Sequence, residues 1–339
     1  MADPNEQTQV QTLTSRREFL FCYDFRMGNP NGDPDENRPR ILPDGTYYVT
    51  DVRLKRYVRD YLKSQGNDIL VDSIEGKTTN LTGRVGAYLQ RVEKPEANGE
   101  ELVRILLDAF VDARLFGSAL AFKAEEAKDE GVKRKNKWET QPKTLTGATQ
   151  INQGEVLHKA QEVDIRGTSI FSSQEGNRQG TFTENFVLRY GLVGFNGVSN
   201  EHSAKVSLMT DEDYDSLLQA LWKGVRSAGN TRTKMGQSPR LLFSITYKPG
   251  AEFQFGTLLD YVSVESANGK PPEEWSSPDD YKVSLKKLRE RLERYSHHIE
   301  RVEFCVSPDI TLDAEDDAFL TRESVGFEVR DLDCDGAGR

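Results

Sequence analysis

The sequence predicts an α+β fold, and three observations predict it. Phe19, Phe21, Tyr23 and Phe25 recur with period two, the spacing of one face of a strand. Leu54, Val58, Tyr61 and Leu62 then fall at i, i+4, i+7 and i+8, one apolar stripe of a helix. Further on, β-rich stretches at 168–172 and 182–195, a helix over 210–225 and a strand over 241–247 complete the set. With insertions removed the order is β, α, β, β, α, β, a ferredoxin-like arrangement.

The opening strand is read as core-facing, although its aromatics could also serve as stacking surfaces. Between it and the first helix lies GNPNGDPDENRPR, residues 28–40. Pro30, Pro34 and Pro39 lack an amide proton and Gly28 and Gly32 favour positive φ, so this is a shaped surface loop of the kind that often carries function. Thr50 is placed as the N-cap of the helix, with Asp51 in its first turn. At about 100° per residue, Arg56, Arg59 and Lys63 cluster opposite the apolar stripe, flanked by Arg53 and Lys55. Taken alone, such a run describes a solvated helix face.

Residues 64–98 read as irregular structure or a short subdomain. A helix follows over 100–116, stopped by Gly117. Residues 124–142 have almost no apolar content; 124–129 suit a mobile insertion. Within 133–143, clustered Lys and Arg beside Trp138 suit a phosphate backbone with a base to stack on. SSQEGNRQG, residues 172–180, is a turn between two β-rich runs and marks a protruding hairpin with Arg178 near its tip. A strand is expected near 205–208, then a helix opened by a Thr210/Asp213 capping box and buried through Leu217, Leu218, Leu221, Trp222 and Val225. The loop over 227–240 is basic and flexible. Leu241 to Tyr247 alternates again. Towards the C-terminus a helix is expected from Ser277-Pro278, carrying Leu285, Leu288, Leu292, Tyr295, Ile299 and Val302, then a strand at 303–306 and an acidic tail lying loosely on the surface.

Charge narrows the function classes. With 55 acidic and 45 basic residues the net charge is −10, unlike the basic balance expected of nucleic-acid binders. The charge is segregated, however: 38–63 and 123–143 are rich in bases and 308–335 in acids, so local basic tracks coexist with an acidic whole. No apolar run approaches the length of a membrane span and the first residues are polar, so a soluble, cytoplasmic protein with no membrane partner is expected. Cys22, Cys305 and Cys334 have neither metal nor disulfide spacing and are expected reduced. Nucleotide-binding glycine loops and nucleophile-and-base signatures are missing. His297-His298 reads as surface. DLDCDG at 331–336 copies half of a calcium loop, with neither the closing Glu nor an exiting helix. No cofactor and no metal is expected.

The loop GNPNGDPDENRPR together with YVTDVRLKRYVRDYL resembles the N-terminal signature of the Cascade backbone subunit of type I CRISPR effector complexes, in its type I-B (Csh-like) variety. DARLFGS at 112–118, LTGATQINQGEVLH at 145–158, SSQEGNRQGTF at 172–182 and MGQSPRLLFSITY at 235–247 agree with it in order. The resemblance covers about three quarters of the chain and weakens beyond Glu265. It implies an RNA-recognition-motif-like palm from 18–63 and 160–250, with a thumb hairpin near 166–185 that folds over RNA. It further implies an inserted finger region over 64–159; the residues themselves suggest a C-terminal extension over 251–339 and a flexible leader over 1–17.

By the same resemblance the protein coats CRISPR RNA in several copies, together with other Cascade subunits, and presents the guide to target DNA. The residues it assigns to RNA are Asn31, Arg53, Arg56, Arg59, Lys143, Gln150, Asn177, Arg178, Arg232 and Lys234. One catalytic alternative exists: Asp33 and Asp35 could hold a divalent metal and cut target RNA, as related type III subunits do. Against it, Pro34 separates the two acids, Arg38 and Arg40 could neutralise them, and Asn-Gly-Asp-Pro is also what a tight turn requires. The expectation is therefore a non-catalytic subunit.

Overall fold

The computed structural model describes residues 11–73, 80–120, 125–126, 133–134, 144–168, 182–229, 232–322 and 326–335. The expected leader over 1–17 is described from residue 11 onward. The chain divides into two compact units, one of residues 17–58, 151–198 and 218–339 and the other of residues 1–16, 59–150 and 199–217.

The larger unit is built on a mixed sheet in which strand Arg17–Gly28 is central. Its neighbours are Ser238–Tyr247 on one edge and Phe182–Ser199 on the other. Beyond Ser238–Tyr247 come Ile299–Val306 and then Glu328–Asp331; beyond Phe182–Ser199 come Gly154–Val156 and Tyr48–Val49, while Glu162–Thr168 also pairs with Phe182–Ser199. Arg17–Gly28 runs antiparallel to Ser238–Tyr247, with Phe19 opposite Ser244 and a bulge between Cys22 and Tyr23.

Both faces of the central strand are covered, which decides the role of its aromatics. Phe19, Phe21, Tyr23 and Phe25 are all buried. Tyr23 stacks on Phe195 with centroids 6.1 Å apart and meets the edge of Tyr57 at 6.5 Å. These rings are core, each contributing the roughly 1.5–3 kcal/mol of a fully buried large side chain. On the opposite face Leu20 and Cys22 join a cluster with Phe243, Ile245, Trp275, Tyr281, Leu288 and Leu292. Residues beyond 250 therefore form a layer over the sheet.

Glu18 fastens that layer. Its buried carboxylate accepts hydrogen bonds from the backbone amides of Phe255 (2.7 Å) and Gly256 (2.8 Å) and from the hydroxyl of Tyr247. A second fastening is Asp24, which accepts from Tyr190 (2.5 Å) and is ion-paired with Arg240 (2.8 Å), with Tyr190 also bonded to Tyr281. A third is His158, stacked on Tyr190 and tilted against Trp275. Its Nδ1 lies 2.7 Å from the carbonyl of Lys159 and its Nε2 accepts from the amide of Leu192, an arrangement that suits the neutral ring.

In the smaller unit, helices Leu81–Arg91, Gly99–Ala109 and Val111–Phe116 enclose a core of Val85, Leu89, Leu102, Leu106, Phe110 and Ala113. The expected single helix over 100–116 is broken at Phe110, whose backbone is extended. Gly117 ends the second piece at φ +72, where an added Cβ would lie 2.1 Å from the carbonyl oxygen of Leu145. Residues 64–98 are not simply irregular: Asn80 caps a helix by accepting from the amide of Gly83. Gly83 and Gly86 inside it hide the Leu81, Val85, Leu89 stripe from a composition reading.

Other expectations need correction. Residues 205–208 are not a strand: Glu201–Ser207 is a helix, capped by Asn200 through the amides of His202 and Ser203. The Thr210/Asp213 capping box forms reciprocally, and helix Asp211–Ser227 buries all five predicted residues. Ser277-Pro278 opens one short turn, after which Tyr281–Ser284 is a strand and the helix is Lys286–Arg294. Ile299 and Val302 belong to the next strand. Nor does the acidic end lie loosely: helix Ala314–Leu320 buries Phe319 and Leu320, and Glu328–Asp331 pairs in parallel with Ile299–Val306. No helix among the described residues is long and apolar enough to cross a membrane.

Two predictions follow from this packing. A methyl added in Gly197→Ala would meet the Phe19 ring at 2.2 Å, so the variant should lose about 1–3 kcal/mol, read as a lower urea midpoint with unchanged slope. Burial holds the His158 pKa below its ordinary 6.5. Its contribution is therefore complete above the unfolded value and is lost as pH falls through the folded one. Stability measured from about pH 7.5 down to 5.5 should decline more steeply in the wild type than in His158→Phe, which stacks but cannot titrate.

Candidate nucleic-acid interface

The signature loop is a folded object. Gly32 bridges Pro39 and Ile41 bridges Tyr47, so the chain doubles back on itself. Asn29, at the base, donates its side-chain amide to the carbonyls of Asn37 (2.7 Å) and Phe186 (3.1 Å). Arg38 lies over the Phe186 ring, 3.7 Å from its centroid, and pairs with Glu36 and Glu162. Asp33 Oδ1 accepts the amides of Asp35 (3.1 Å) and Glu36 (2.9 Å). That is an Asx turn, the conformation for which Asn-Gly-Asp-Pro is suited. Among the described residues, no three His, Cys, Asp or Glu side chains converge in a way that could hold a metal.

Asn31 ties this loop to the basic helix, Asp51–Ser64. Its Oδ1 accepts from both the amide and the hydroxyl of Thr50, while Thr50 Oγ1 accepts from the amide of Arg53. Loop and helix start are thus fixed through one threonine, as the predicted N-cap requires. From the other side comes the segment before Ser238–Tyr247. The carbonyl of Thr233 accepts the amide of Asn29 (2.8 Å), and Gln237 Oε1 accepts the hydroxyl of buried Tyr57 (3.0 Å).

These contacts place Arg53 within electrostatic reach of Lys234. The Lys234 ammonium is held below its ordinary pKa, first by partial burial and second by the Arg53 charge. Neither cation has a carboxylate partner among the described residues. Among the described residues, Arg53 Nε is buried with no acceptor, and so is Gln237 Nε2; the Arg53 guanidinium also lies 5.8 Å from the centroid of the Tyr57 ring. Like charges that act on each other, with no carboxylate partner among the described residues and next to donors without acceptors, leave electrostatic and hydrogen-bonding capacity for an anion.

The other predicted residues separate. Arg232 is exposed on the same segment as Lys234, and Arg56 is exposed one turn beyond Arg53. Arg59 turns to the fully buried Asp112, its Nε 2.8 Å from the carboxylate, and Asp112 also accepts the amides of Leu70 and Val71. Its guanidinium is therefore engaged in a structural pair. Lys55 and Lys63 are paired with Asp51 and Asp72. Gln150 belongs to the smaller unit, exposed, with its side-chain amide 3.5 Å from the carbonyl of Gly147. Lys143, Asn177, Arg178 and the tip of the thumb hairpin lie outside the described residues. Tyr57 and Gln237 are missed by the sequence reading. Tyr57 sits one residue before an apolar position, and nothing local marks Gln237 as reaching it.

A family model described as CRISPR-associated protein Cas7 matches residues 15–286. A protein of Haloferax volcanii described as CRISPR-associated protein Cas7 is 30% identical over 335 residues, 95% of this chain and 97% of that one. Among solved structures, a chain described as part of a CRISPR RNA-guided surveillance complex, pre-nicking, matches 93% of this chain and 95% of its own, with TM-score 0.50 and 14% identity.

The Arg59–Asp112 pair yields a test. Arg59→Ala would strand a buried carboxylate, so it should cost roughly 3–5 kcal/mol in chemical denaturation, whereas Arg232→Ala, exposed, should cost less than about 0.5 kcal/mol.

Proposed function

The chain belongs to the CRISPR-associated Cas7 family, and from that membership we propose that it is a non-catalytic, RNA-binding backbone subunit of a type I-B interference complex in the cytoplasm. Several copies stack along one CRISPR RNA beside other subunits, each gripping a short length of guide and leaving its bases free for target DNA. Sequence specificity then belongs to base pairing, and the protein contacts phosphate and ribose.

The observation that carries this reading is the uncompensated Arg53–Lys234 pair. A phosphate seated there relieves the repulsion between the two cations and satisfies donors that are otherwise buried without acceptors. Arg56 and Arg232 extend the cationic track along the helix and the neighbouring loop. The strand order supports an RNA-recognition-motif-like palm: Ser238–Tyr247, Arg17–Gly28, Phe182–Ser199 and Glu162–Thr168 are neighbours in the order fourth, first, third, second. The turn made by the Asp33 carboxylate supports a shaping role for that residue.

Binding of single-stranded guide RNA, followed by fluorescence anisotropy over a salt series, tests the proposal. The double variant Arg53→Glu, Lys234→Glu should weaken binding of all sequences alike. Its log–log salt slope should shrink by about 1.4, two contacts at roughly 0.7 each. Affinity and slope equal to the wild type would remove the pair from the interface.

A further inference from the structure

Three cysteines are free thiols, and the strand register brings two of them near each other. Cys305 is buried near the end of strand Ile299–Val306. The parallel partner strand sets Asp331 opposite Phe304, and the amide of Leu332 donates to the carbonyl of Phe304 at 2.8 Å. The chain then turns: the Asp333 amide donates to the Asp331 carboxylate and Asp333 takes φ +44. Asp335 is held by Trp222 Nε1 (3.0 Å) and by Arg226 (2.6 Å). Fixed on both sides, half-buried Cys334 lies two residues past Leu332, the position that the register sets beside Cys305, and its thiol feels that of Cys305. Cys22 is separate. It sits opposite Leu241, with a whole strand between it and Cys305.

We propose that Cys305 and Cys334 are a disulfide-forming pair that, when oxidised, latches the C-terminal strand and turn onto the sheet. The oxidant is a low-molecular-weight disulfide, RSSR. The Cys334 thiolate, the more accessible of the two, attacks one sulfur, forming a mixed disulfide and releasing the first RS group as thiolate. The Cys305 thiolate then attacks the Cys334 sulfur and expels the second. Two protein thiols and one RSSR become one protein disulfide and two RSH, the two protein protons ending on the leaving thiols.

The surroundings set the rate. The neighbouring Cys305 thiol, burial, and the charges of Asp335 and Asp331 all hold the Cys334 thiol above its ordinary pKa. The attacking thiolate is therefore scarce at neutral pH, and the reaction accelerates as pH rises.

The intact protein is incubated with oxidised glutathione at pH 7 and pH 8.5, then alkylated under denaturing conditions, digested and mapped by mass spectrometry. The expected product is a linked Cys305–Cys334 peptide with only Cys22 alkylated, forming faster at the higher pH. Thermal unfolding of the oxidised protein should shift upward, and the same treatment should leave Cys334→Ser unshifted. A persistent glutathione adduct on Cys334, full alkylation of all three cysteines, or a link involving Cys22 overturns the pair. An oxidised wild type with unchanged or lowered thermal midpoint overturns the latch.

Discussion

The larger unit depends on one constraint: strand Arg17–Gly28 must be paired on both edges and covered on both faces. Its aromatic side is closed by Phe195 and Tyr57, its other side by residues that come after position 250. A strand so enclosed cannot shift register, because a one-residue slip would exchange its two faces. The loop that leaves its end is therefore launched from a fixed point. Through Asn29, Asn31 and Thr50 that fixity reaches the first turn of the basic helix and sets where Arg53 stands.

Charge is sorted by pairing, and totals mislead. Arg59 with Asp112, Arg114 with Asp213, Arg240 with Asp24 and Arg289 with Asp316 are buried or half-buried pairs that hold segments together. Such cations are committed to the fold, since removing either partner strands the other. Arg53 and Lys234 differ: they act on each other and have no acidic partner among the described residues. An acidic protein can in this way keep a strongly cationic point, and net charge is a poor guide to what the surface can bind.

Much of the organisation was legible in local patterns. Period-two aromatics, the capped helices at Thr50 and Thr210 and the alternation of Phe243, Ile245 and Tyr247 all correspond to observed elements, because in each case propensity and burial agree. Failures came where they did not. Glycines inside Leu81–Arg91 masked its stripe, and a four- and three-residue spacing that continued through Ile299 and Val302 ran a helix pattern into a strand. In the candidate interface, Asn31, Arg53 and Lys234 were legible from the signature loop, the basic helix and the basic segment. Arg59 was not separable from them, because its difference lies in Asp112, 53 positions away. Tyr57 and Gln237 were likewise hidden by a contact spanning 180 positions.

The fastening of Glu18 has a consequence for biosynthesis. Its acceptors are filled by amides 237 and 238 positions further along the chain. During translation the central strand leaves the ribosome long before either of its sheet neighbours exists, exposing four aromatic rings and two unpaired edges to solvent. Such non-local pairing folds slowly and invites aggregation, so the nascent polypeptide is a natural client for chaperones until its final third has emerged.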